Sequence, residues 1–116
     1  MSKSLQAIVE DALDDLKAQD VSVLDVRELS DVMDTLVIAT GTSNRHVKSL
    51  AGNVVEDCKK GGFQPLGVEG LDAGEWALVD LGDTVVHVMQ QSARDLYELE
   101  KLWSMEPSSR SNTDEE

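Results

Sequence analysis

The sequence reads as an α/β domain in which about five short strands alternate with three helices. Three observations predict this. Residues 74–90 place two aliphatic runs on either side of Gly82-Asp83, the pattern of a tight two-residue hairpin. Residues 5–17 and 47–58 carry apolar side chains at helical spacing. Residues 21–26 and 36–39 are short apolar runs of strand length.

The first helix places Leu5, Ile8, Val9, Ala12, Leu13 and Leu16 on one stripe, with Glu10, Asp11, Asp14 and Asp15 off it. Its acidic side is a solvated face before it is a contact for a basic partner. Val21 to Val26 forms a strand, and the polar stretch Arg27 to Asp34 is a connection. Leu36 to Ala39 suits a central strand covered on both faces. Gly41-Thr42-Ser43-Asn44 then turns the chain into a second helix, with Thr42 or Ser43 as its N-cap. Val47, Leu50, Ala51, Val54, Val55 and Cys58 make its buried stripe. Lys59-Lys60-Gly61-Gly62 ends it, because glycine allows a left-handed exit and lysines suit the negative end of the helix dipole. Gln64 to Gly70 contains Pro65 and two glycines, so it is a short edge strand at most. Leu71 to Gly74 is a turn.

In the hairpin, a loop made of Gly82 and Asp83 sets Leu81 opposite Thr84, Asp80 opposite Val85, Leu78 opposite His87 and Trp76 opposite Met89. Alternation puts Ala77, Val79, Leu81, Val86 and Val88 on one small aliphatic face. The other face carries Trp76, Leu78, Asp80, Val85, His87 and Met89, which mixes bulk with an acid and an imidazole. Ser92-Ala93-Arg94-Asp95 resembles a capping box opening a third helix over Ala93 to Trp103. Leu96, Leu99, Leu102 and Trp103 form one stripe of that helix, and Tyr97 and Glu100 a neighbouring one. Residues 1–105 form the domain, and 106–116 a disordered acidic tail rich in Ser, Asn, Asp and Glu.

A chain of 116 residues is one domain that buries roughly two-thirds of its unfolded surface. Aromatic residues are only 3% of it, which singles out Phe63, Trp76, Tyr97 and Trp103. A formal charge of −13 disfavours broad contact with nucleic-acid phosphates and suits a basic protein partner, or simple solubility. The single Cys58 excludes an intramolecular disulfide and a multi-cysteine zinc site. No apolar run approaches membrane-spanning length and no signal-peptide pattern opens the chain, so the expected location is the cytoplasm.

Candidate chemistry is sparse. The Gly41-Thr42-Ser43 turn lacks both the Walker ending and the dinucleotide glycines, and reads first as a helix cap. Ser43, His87 and Asp80 make a poor triad because no nucleophile elbow surrounds Ser43. His46 and His87 lie on different elements, and no metal cluster or cofactor motif converges on either. Cys58 falls on a buried stripe and reads as a core residue. What remains is Trp76, Leu78 and Met89 beside Asp80 and His87. Such a patch is either a protein-interaction hot spot or a face packed under the protein's own helices.

Several motifs then occur in order: Ala39-Thr-Gly-Thr-Ser-Asn-Arg-His-Val47, Gly67-Val-Glu-Gly70, Trp76 with Val79-Asp80, Gly82-Asp83, Val86-His-Val88 and Leu96-Tyr-Glu-Leu-Glu-Lys-Leu-Trp103. Together they resemble the ribosome-silencing factor, or Iojap-related, family from the first helix to Trp103. Thr35 and Ala77 depart from it, at positions where the family often has an aromatic and a larger aliphatic residue, and both bear on packing. The resemblance implies a mixed sheet of nucleotidyltransferase-like architecture without its catalytic motifs, and a homodimer. It implies a translational repressor that binds large-subunit ribosomal protein fourteen and sterically blocks joining of the small subunit when nutrients are scarce. Carried over, the protein-binding residues are Trp76, Leu78, Asp80, His87, Met89, Tyr97 and Glu100, with no catalytic residue, no metal and no cofactor. Two other readings are a nucleotidyltransferase-like enzyme and a dimeric scaffold for another basic protein. The enzyme reading lacks an Asp-x-Asp pair on a strand.

Overall fold

The first helix begins where Ser4 Oγ accepts the Ala7 backbone N–H, satisfying a donor that a helix N-terminus leaves open. The computed structural model describes residues 4–29, 31 and 33–97. Within them the elements run α1 (Leu5–Asp15), β1 (Gln19–Asp25), β2 (Thr35–Gly41), α2 (Asn44–Lys60), β3 (Gly67–Glu69), β4 (Trp76–Asp80), β5 (Thr84–Gln90) and α3 (Gln91–Tyr97). Helix α1 closes in a Schellman motif. The Ala18 N–H donates to the Leu13 carbonyl and the Lys17 N–H to the Asp14 carbonyl, while Lys17 takes the left-handed conformation at φ 62°.

The five strands form one mixed sheet in the order β1-β2-β5-β4-β3. Strands β2 and β5 are parallel, and every other neighbouring pair is antiparallel. Residues Leu36 to Gly41 of β2 are all buried, as an apolar run covered on both faces requires. The hairpin has the expected register, with Trp76 opposite Met89, Leu78 opposite His87 and Asp80 opposite Val85. Gly82 takes φ +93° in its turn, a conformation that suits glycine. Strand β3 is three residues long and lies at the edge, as Pro65 and the flanking glycines predict.

Two cores lie on opposite faces of the sheet. On one face, Ile8, Val9, Ala12 and Leu13 of α1 and Val47, Leu50, Ala51, Val54 and Cys58 of α2 meet Val37, Ala39, Ala77, Val79, Val86 and Val88. Asn53 adds a polar tie, its Nδ2 donating to the Ala12 carbonyl at 2.8 Å. On the other face, Val26, Leu36, Ile38, Met89 and Ala93 make a smaller cluster, with Trp76 and Val85 packed at its margin.

The structure corrects the reading at two boundaries. Strand β1 starts at Gln19, because the chain re-enters the sheet directly after the α1 cap. Helix α3 starts at Gln91 with no loop after β5, so Ser92 lies inside the helix and is not its cap. Leu99, Glu100, Leu102, Trp103 and the 106–116 segment lie outside the described residues.

A left-handed lysine at a C′ position costs on the order of 1 kcal/mol that glycine avoids. Lys17→Gly should therefore raise the thermal midpoint by about 2–4 °C, followed by circular dichroism. A lowered midpoint would show that the Lys17 side chain itself supports the helix end.

Candidate functional site

Strand alternation and helix placement together define the site. Helices α1 and α2 share one face of the sheet, so the opposite face has only α3 to cover it among the described residues. Helix α3 sits over β2 and β5 through Ala93, which leaves the β4 side of that face partly open. There Trp76, Leu78 and Asp80 of β4 lie beside Val85 and His87 of β5, all of them half-buried.

Trp76 and His87 are diagonal neighbours across the hairpin and form a pair. Trp76 Nε1–H donates to His87 Nδ1 at 2.8 Å, with ring centroids 5.7 Å apart and planes tilted by 45°. An Nδ1 that accepts leaves the proton on Nε2, so this contact fixes the tautomer. Burial disfavours the charged imidazolium and lowers the His87 pKa from 6.5 to about 4. At neutral pH the patch therefore offers a flat aromatic, a neutral imidazole and an aliphatic side chain next to one carboxylate.

The other candidate residues divide. Asp80 Oδ1 accepts the Gly82 N–H at 2.9 Å, so this carboxylate also shapes the hairpin turn. Met89 is a correction: it is 0% exposed and belongs to the core beneath Trp76, because α3 lies over that end of β5. It supports the patch from below and offers it no surface. Tyr97 is the last described residue of α3, and Glu100 lies outside the described residues.

Backbone constraints hold Trp76 in place. Gly70 has φ +83°, and a Cβ there would overlap the Trp76 carbonyl oxygen. Gly74 lies against Asn44 at the start of α2, and its carbonyl accepts Gln90 Nε2 at 2.9 Å, while the same Nε2 reaches Asn44 Oδ1. The turn before β4 is thereby tied to both α2 and β5.

Sequence reasoning missed two residues. His46 Nδ1 accepts the Thr42 N–H at 2.8 Å, and its Nε2 meets the Leu16 carbonyl at 2.7 Å, joining the α2 entrance to the α1 exit. Arg94, on α3, is only 8% exposed. Its guanidinium donates to the Asp20 carbonyl at 2.6 Å, Thr40 Oγ1 at 2.7 Å and Ser22 Oγ at 3.1 Å. Asp20 has φ 46° in a β1 bulge between Gln19 and Ser22, and this left-handed residue turns its carbonyl toward Arg94. An arginine early in a helix reads as a solvated charge, and only the long-range contact with β1 and β2 reveals its role.

The groups considered for catalysis are engaged separately. Ser43 Oγ caps α2 by accepting the His46 N–H, His87 is bonded to Trp76, and Asp80 holds its turn. Burial raises the Cys58 thiol to about 11, which keeps it protonated and unreactive. Among the described residues no group of three His, Cys, Asp or Glu side chains could hold a metal, and no helix is long and apolar enough to cross a membrane.

The His87 environment predicts a pH dependence. Between pH 6.5 and about 4 the unfolded chain protonates this imidazole while the folded chain resists. Stability is complete above the unfolded value and falls as pH drops through that window, by about 3 kcal/mol if His87 is the only contributor. His87→Asn keeps an acceptor for the Trp76 N–H but cannot titrate. Urea unfolding at pH 7 and 4.5 should show a smaller acid loss in the variant than in the wild type. Equal losses would show that His87 does not control this part of the profile.

The family model described as ribosomal silencing factor during starvation matches residues 1–116. A ribosomal silencing factor RsfS from Haemophilus influenzae is 47% identical over 94 residues, spanning 81% of this chain and 92% of that protein. The Bacillus subtilis RsfS is 40% identical over 105 residues, spanning 90% of this chain and 89% of its own length. A crystal structure of a Chromobacterium violaceum protein superposes with a TM-score of 0.84 at 42% identity, over 90% of this chain and 91% of that one. Sequence and fold agree along nearly the same span, and the chain belongs to the ribosomal silencing factor family.

Proposed function

We propose that this protein represses translation by binding the large ribosomal subunit through large-subunit ribosomal protein fourteen, so that the small subunit is sterically kept from joining. The response serves nutrient limitation, and the protein works in the cytoplasm as a homodimer. The single observation that favours this reading is the partly covered sheet face, where a half-buried tryptophan is held rigid by His87 on a chain of charge −13. Buried aromatics surrounded by a few polar groups are the usual anchors of protein interfaces, and an acidic surface steers encounter with a basic partner. Trp76, Leu78, Asp80 and His87 form the proposed contact, extended by Tyr97 and Glu100.

The fold is read as nucleotidyltransferase-like in architecture but as a binding module in function. The Gly41-Thr42-Ser43 turn, which an enzyme would use for phosphates, is occupied by its own cap and by His46. Titration calorimetry with ATP, GTP or CTP and magnesium should accordingly give no saturable heat. Heat that vanished on mutating Thr42 and Ser43 would restore the enzyme reading.

Trp76→Ala should weaken binding to large subunits by roughly thirty- to a thousandfold, the range for a central aromatic anchor. Because Trp76 also packs on the smaller core, its thermal midpoint should fall by several degrees. Leu78→Ala lies outside both buried clusters and should weaken binding with a near-native melt. Light scattering of subunit joining, below both melting transitions, reads the function. If both variants are folded and still block joining as the wild type does, the assigned surface is wrong.

A further inference from the structure

We propose that Arg94 is a positioning residue for recognition: it locks α3 onto β1 and β2, and so sets where the helix carrying Tyr97 stands beside the Trp76 surface. The inference rests on the functional reading above for its link to binding, and on geometry for the lock itself. Helix α3 leaves β5 with no intervening loop, so its direction is set at its first residue by the end of the strand. Ala93 is buried in the smaller cluster, whereas Leu96 is 73% exposed. The guanidinium of Arg94 instead reaches two strands at once, through the Asp20 carbonyl and Ser22 Oγ on β1 and Thr40 Oγ1 on β2.

Three acceptors in a rigid fork define an orientation as well as an attachment. The β1 bulge supplies one of them, and its left-handed Asp20 has no other role visible in the sheet ladder. Ala93, the residue before Arg94, shares a cluster with Met89 and Trp76, so the lock and the recognition surface adjoin through one layer of side chains.

Tyr97 is the only tyrosine in the chain and the last described residue of α3, three positions after Arg94. Incorporated 3-fluorotyrosine therefore gives one fluorine resonance that reports on α3. In the wild type this resonance should differ from its position in urea. Arg94→Met, which keeps the length of the side chain without its donors, should move the resonance to the urea position while circular dichroism remains native. Its affinity for purified large ribosomal subunits should fall about tenfold or more. Arg94→Lys should restore neither property, since a single ammonium cannot span the three acceptors.

The double variant Ser22→Ala, Thr40→Val removes acceptors from the sheet side and should shift the resonance in the same direction, which decides the question if Arg94→Met does not fold. Leu13→Ala, in the opposite core, should lower the melting midpoint without moving the resonance or the affinity. The proposal is overturned if the folded Arg94→Met protein keeps the wild-type resonance, or if the resonance moves and subunit binding does not. Failure of the wild type to bind large subunits would overturn the role in recognition together with the functional reading. The resonance in buffer alone would still decide whether Arg94 locks the helix.

Discussion

A five-stranded sheet has two faces to keep from water, and the described residues cover them unequally. Helices α1 and α2, of 11 and 17 residues, share one face, whereas among the described residues the opposite face has α3. The consequences follow from that asymmetry. The first face can be small and aliphatic, because valines and alanines pack closely under helices. The second grades from a dry cluster around Leu36, Ile38 and Met89 to the half-open surface of Trp76, Leu78 and His87. The larger apolar core lies on one side and the half-open patch on the other.

Rigidity at the open side is built from backbone and hydrogen bonds. Gly70 lets the chain pass close to the Trp76 carbonyl, Gln90 fixes the preceding turn through Gly74, and His87 accepts the indole N–H. A large aromatic with only two side-chain torsions loses little entropy on binding, and less still when one edge is already bonded. The low pKa of His87 belongs to the same arrangement: a charged imidazolium could not accept that N–H through Nδ1, and burial holds the ring neutral.

Polar ties do the long-range work that apolar contacts leave undone. His46 joins the end of α1 to the start of α2, Asn53 joins the two helices midway, and Arg94 joins α3 to the far strands. Each hydrogen bond to a charged group contributes about 1.5–3 kcal/mol, yet burying a guanidinium costs several kcal/mol, so the net gain from Arg94 in stability is modest. Its larger effect is to define geometry, since one guanidinium ties α3 to both β1 and β2.

The sequence by itself determined the elements whose causes are local. Alternation in residues 76–89 and the Gly82-Asp83 loop fixed the hairpin register, because one step of slip would turn every valine to the wrong face. Helical spacing fixed the buried stripes of α1 and α2, and Pro65 with its glycines confined β3 to an edge. The motifs were specific enough to indicate the family. Tertiary structure decided what depends on distant partners. It placed β2 parallel to β5, laid α3 over Met89 and so removed that residue from the surface, and drew Arg94 into contact with residues 54 to 74 positions away. Periodicity shows which side chains leave water, but the element that covers them is chosen by chain closure over the whole fold.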